Sequence, residues 1–99
     1  MRWEFHPEAL QEYREATSYY AERSPILALR FVDAVEDAIQ RILEAPLAWG
    51  PLKGDVRRCR TRRFPYGVLY AIERDRIFIV AVMHGSREPG YWMRRIEQE

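Results

Sequence analysis

The residues from Arg57 to Arg63 hold five guanidinium groups: Arg57, Arg58, Arg60, Arg62 and Arg63. A guanidinium is a planar fork of donors that matches the oxygens of a phosphate or a carboxylate. The alternation predicts a strand, and a strand sends successive side chains to opposite faces. Arg58, Arg60 and Arg62 then line one face, and Arg57, Cys59, Thr61 and Arg63 the other. Such a row is costly to bury, so its face is expected to be open to solvent or to a partner. Downstream, His84 ends an apolar segment. An imidazole could act as a general acid or base there, or simply cap the strand. Arg87 adds a cation. Tyr91 and Trp92 offer rings that could stack on a base or pack the last segment onto a sheet. Cleaving RNA through its 2′-hydroxyl needs a base, an acid and a group that holds charge developing on the phosphate. No carboxylate pair is evident for this, which leaves His84 and the arginines.

The overall charge conceals this pattern. The chain is +1 in total, yet residues 1–50 carry five arginines against nine carboxylates, and residues 51–99 carry eleven cations against six. The second half is therefore the expected site of an anionic contact, unless the excess is ordinary surface charge. At 99 residues and 47% hydrophobic content, one folded domain spanning 1–99 is expected. A lone Cys59 excludes an internal disulfide. Two histidines, His6 and His84, give no zinc spacing, so no metal or cofactor is expected. Cation neighbours are expected to lower the Cys59 pKa. The opening Arg-Trp-Glu lacks the pattern of a signal peptide, and no apolar run reaches the ~20 residues of a membrane span, so the expected location is the cytoplasm.

These groups must be positioned by a small set of elements. Residues 2–5 alternate as a short strand. His6-Pro7-Glu8 opens a helix to Glu22, with Leu10, Tyr13, Thr17 and Tyr20 at helical spacing. Ser24-Pro25 caps a second helix, whose stripe of Leu27, Phe31, Val35, Ala38 and Ile42 runs to Glu44, before Pro46. A loop with Pro46, Trp49, Gly50, Pro51 and Gly54 follows. Three strands are predicted over 56–63, 66–72 and 76–84. The last is apolar throughout from Ile77 to Met83, as a strand covered on both faces requires. A helical turn or two is expected over 91–96. The order β-α-α-β-β-β-α is an α+β fold, with an antiparallel meander under a helical hairpin.

In three places the chain resembles the RelE/ParE superfamily of bacterial toxins from type II toxin–antitoxin, or plasmid-stabilisation, systems. They are the Ser24-Pro25 cap, the run Phe64-Pro65-Tyr66-Gly67-Val68-Leu69-Tyr70, and the run from Val82 to Trp92. The resemblance covers nearly the whole chain and implies the element order just read. It also implies a growth-inhibiting toxin neutralised by a cognate antitoxin in a toxin–antitoxin hetero-oligomer. ParE-like members poison DNA gyrase, and RelE-like members cut messenger RNA on the ribosome. For the RelE-like chemistry the resemblance points to Arg58, Arg60, His84, Arg87 and Tyr91. For binding alone, Arg58, Arg60, Arg62, Arg87 and Trp92 are expected contacts. RelE-like nucleases carry an arginine where this chain has Gly67. That departure, with the Phe-Pro-Tyr and Pro-Gly-Tyr-Trp segments, favours a ParE-like toxin that binds an essential target. The alternative is a ribosome-dependent endoribonuclease. An acidic, disordered antitoxin segment is expected to fold onto the basic face and the apolar surface near Tyr91 and Trp92.

Overall fold

The computed structural model describes residues 2–97. Its elements are β1 (Arg2–Phe5), α1 (Pro7–Arg23), α2 (Pro25–Glu44), β2 (Pro51–Lys53), β3 (Val56–Arg60), β4 (Tyr66–Ile72), β5 (Arg76–His84) and α3 (Arg94–Glu97). The fold is α+β, with a five-stranded sheet in the order β1-β5-β4-β3-β2.

The helices start where side chains accept their first free N–H groups. His6 Nδ1 accepts from Glu8 N at 3.0 Å, and Pro7 fills the first helical position, where no donor is missed. Ser24 serves two helices. Its N–H donates to Tyr20 O to close α1, and its Oγ accepts from Leu27 N at 3.3 Å to open α2. The two helices therefore fold back with a single residue between them. Ala9 and Ala16 of α1 and the α2 stripe Phe31, Val35, Ala38, Ile39 and Ile42 bury against Cys59, Val68, Tyr70, Ile77 and Ile79 of the sheet. Phe31 is fully buried, with Tyr20, Phe64 and Tyr66 rings at 5.1, 5.3 and 5.0 Å.

Pairing of β3, β4 and β5 is antiparallel, as expected. Two features go beyond that reading. β1 joins the edge of β5 in parallel, Arg2 beside Arg76 and Phe5 beside Ile79, so the sheet is mixed. β2 pairs with β3 through a turn at Gly54, whose φ of +57° suits glycine. β2 lies in the Pro- and Gly-rich segment expected to be a loop, and its three residues are exposed at the sheet edge. β3 also stops at Arg60 rather than Arg63. Thr61 is buried at the corner, and its hydroxyl donates towards Phe64 O and Tyr66 O at 3.0 and 3.1 Å. These bonds close the 62–65 turn, in which Arg63 takes φ +69°.

The second face of the sheet is covered only in part. Val56, Leu69, Ala71, Phe78, Val80 and Met83 pack there under Trp92, which is 2% exposed, flanked by Met93 and Ile96. β5 is thus covered on both faces, which explains its unbroken apolar run. Only residues 94–97 of the C-terminal segment are helical. The preceding residues form turns.

Candidate functional site

β3 runs Val56-Arg57-Arg58-Cys59-Arg60, and its alternation sorts the charges. Arg57 and Cys59 face the helices beside Tyr70 and Val68. Arg57 donates to Trp49 O and so ties down the loop that follows α2, whose Trp49 packs on the core. Burial pushes the Cys59 thiol up, against the lowering expected from neighbouring cations, because burial outweighs the Arg41 charge. On the other face, Arg58 lies opposite Leu69 and Arg60 opposite Gly67. This is the part of the second face that the C-terminal segment leaves open. A cleft of about 310 Å³ there is lined by Arg58, Arg60, Pro65, Gly67, Met83 and Gly85. Among the described residues neither the Arg58 nor the Arg60 guanidinium has an ion-pair or hydrogen-bond partner.

Gly67 explains how Arg58 is held. A Cβ on Gly67 would stand 3.0 Å from both Cγ and Cδ of Arg58. The stem of Arg58 lies across β4 close against the side of Gly67, where a larger residue would crowd it.

Arg62 does not extend the row. Because β3 ends at Arg60, Arg62 turns to the helix side, 3.8 Å from Asp37 of α2. His84 and Arg87 are also on the helix side of the sheet, in a separate concavity with Glu12, Glu15, Tyr19 and Tyr66. His84 stacks edge-on to Tyr66 at 5.0 Å, and its Nδ1 accepts from Ser86 N at 2.9 Å. In the neutral ring the proton is then on Nε2, and the residue caps the strand end. Arg87 lies over the Tyr91 ring at 3.8 Å and 3.8 Å from Glu12. Tyr91 donates to Glu12 Oε2 at 2.6 Å, and burial, then that carboxylate, raise its pKa. The phenol stays protonated, unsuited to act as a base near neutrality. Trp92 is 2% exposed, so the indole packs the C-terminal segment onto the sheet, beside an apolar cleft of about 300 Å³ lined by Val56, Ala71, Met93 and Ile96.

Glu12 was not among the sequence-derived candidates, yet it organises this side. Its carboxylate takes Val82 N at 3.0 Å, both Arg95 terminal nitrogens at 2.9 Å, and Tyr91. Arg95, 3% exposed, also donates to Val80 O at 3.0 Å. Beyond the end of β1, the edge of β5 is therefore completed by a bidentate ion pair instead of a strand. Glu12 reads in sequence as a surface helical residue, and its partner is 83 positions away; no local pattern connects them.

A family model described as the ParE toxin of type II toxin-antitoxin system, parDE, matches residues 3–89. The chain belongs to the ParE toxin family. Toxin ParE2 of Mycobacterium tuberculosis, from strains CDC 1551 / Oshkosh and ATCC 25618 / H37Rv, is 40% identical over 76 residues, covering 76% of this chain and 72% of the relative. A solved structure described as the chromosomal ParDE TA system from P. aeruginosa superposes with a TM-score of 0.74 at 16% identity, over 85% of this chain and 95% of its own. That likeness supports the fold. The protein is thus a ParE-type toxin of a type II toxin–antitoxin system, and the ParE-like reading prevails over the RelE-like one. Membership supports an antitoxin as its partner. No helix among the described residues is long and apolar enough to cross a membrane.

Proposed function

We propose that this toxin arrests growth by binding an essential cytoplasmic target such as DNA gyrase, and that Arg58 and Arg60 are its contact residues. One observation carries the reading. The groups that could cleave RNA are split: Arg58 and Arg60 line one face of the sheet, while His84, Arg87 and Tyr91 lie on the other, with His84 Nδ1 and the Tyr91 hydroxyl already engaged. Phosphoryl chemistry needs such groups to converge on one phosphate. Binding needs only the unpaired cations of one face, half-buried Arg58 and exposed Arg60. An antitoxin segment that covers Arg58 and Arg60 would neutralise the toxin by occlusion.

Induction in cells tests this directly. Replication should stop and a DNA-damage response should follow, while transcripts stay intact. The Arg58→Ala/Arg60→Ala protein should still fold, because neither guanidinium has an ion-pair partner to lose among the described residues, and should not be toxic. New transcript ends within codons, dependent on translation and lost in Arg87→Ala, would establish an endoribonuclease on the ribosome and defeat the proposal.

A further inference from the structure

Gly67 is in the middle of a strand, where glycine costs about 0.5–1 kcal/mol relative to alanine. Its φ lies outside the left-handed region, so the backbone does not require glycine there. What favours it is space, since a Cβ there would stand 3.0 Å from Cγ and Cδ of Arg58, tighter than side chains ordinarily pack, and would press the stem away. Arg60 stands directly opposite Gly67. The two cations, two positions apart on a strand, have Cα atoms about 6.7 Å apart, close enough for two forks to bracket one acidic group.

The charges elsewhere narrow the class of ligand. Arg62, Arg76, Arg87, Arg94 and Arg95 are all within ion-pair distance of carboxylates, and Arg57 donates to a carbonyl. The net charge is +1. A nucleic-acid backbone is recognised through many phosphates and a broad basic field. Two free cations in a cleft of about 310 Å³ suit a single acidic side chain.

Resting on the binding reading above, we infer that Gly67 is a positioning residue. By having no side chain it lets Arg58 lie across β4, and the cleft that Arg58 and Arg60 then form takes a carboxylate of a protein partner.

The full-length toxin titrated with hexaglutamate, followed by the NMR amide signals of Gly67 and Gly85, tests the inference. Saturable shifts are expected in the parent and not in Arg58→Ala. Gly67→Ala should weaken binding about tenfold or more, the loss of one charge-assisted contact. Adding Gly67→Ala to Arg58→Ala should change nothing further. If Gly67→Ala alone unfolds the protein, Arg58→Ala must restore the fold. Absence of that rescue, no response to hexaglutamate, or full binding by Gly67→Ala would each overturn the inference. So would a thymidine hexanucleotide that shifts the same amides at lower concentration. Toxicity is read separately. An Arg58→Ala toxin that kills like the parent while the hexaglutamate results hold would remove the proposed function and leave the cleft assignment standing.

Discussion

Replacing Glu12 by alanine should be among the most damaging single changes available in this fold. The Glu12 and Arg95 side chains are 11% and 4% exposed, and the pair is bidentate at 2.9 Å. Alanine leaves the buried Arg95 cation with only Glu8, 3.8 Å away, as counter-charge, and among the described residues Arg95 Nε already lacks a partner. Breaking a buried pair from one side costs about 3–5 kcal/mol. Val82 N–H and Tyr91 O–H lose their acceptor at the same time. In a domain of this size each kcal/mol shifts the melting temperature by roughly 4–8 °C, so a fall of about 12–40 °C is expected. Against a total stability of about 5–15 kcal/mol, part of the population should unfold at growth temperature. Urea denaturation followed by circular dichroism measures the loss. Removing both charges, as Glu12→Leu with Arg95→Met, should be less harmful than Glu12→Ala alone, because no orphan charge remains. A loss below about 1 kcal/mol for Glu12→Ala would mean that the ion pair does not hold the β5 edge.

Two further outcomes follow from the same geometry. Burial, and for Tyr91 then Glu12 and for Tyr13 then Glu36, raise these phenols above the ordinary value of 10.0, so in alkali the unfolded chain loses their protons first. Stability should hold below pH 10 and fall as pH rises beyond it, less steeply in Tyr91→Phe; a parent whose urea midpoint is flat across that range would contradict this. Arg63, at φ +69°, pays the steric penalty of a Cβ in left-handed backbone. Arg63→Gly should therefore be more stable than Arg63→Ala by about 1 kcal/mol in thermal melts, and an alanine variant at least as stable would show that the turn is unstrained.

The helices and the three long strands were legible because each rests on a local signal. The Ser24-Pro25 cap, the α2 stripe and the run Ile77 to Met83 all state their own periodicity. β1 was legible as a strand, but its parallel partner was not, since nothing near residues 2–5 specifies β5. β2 was hidden by prolines and glycines tolerated at a sheet edge. The arginine row failed at Arg62 because Thr61, readable as a strand residue, spends its hydroxyl on closing the turn. In the site, Arg58 and Arg60 followed from alternation alone. The Glu12–Arg95 pair and the contact between Arg58 and Gly67 arise from tertiary packing, and sequence spacing says nothing of either.

The parallel pairing of β1 with β5 also sets an order of events during synthesis. The α1–α2 hairpin is held by contacts between neighbours in sequence, and it can form as soon as it leaves the ribosome. Its sheet cannot close until β5 emerges, roughly 2–8 seconds later at ordinary elongation speeds. Until then the sheet that covers Phe31, Val35, Ile39 and Ile42 is incomplete, and β1 waits without a neighbour. The nascent toxin therefore passes through an interval in which its most apolar helix is available to whatever meets it first.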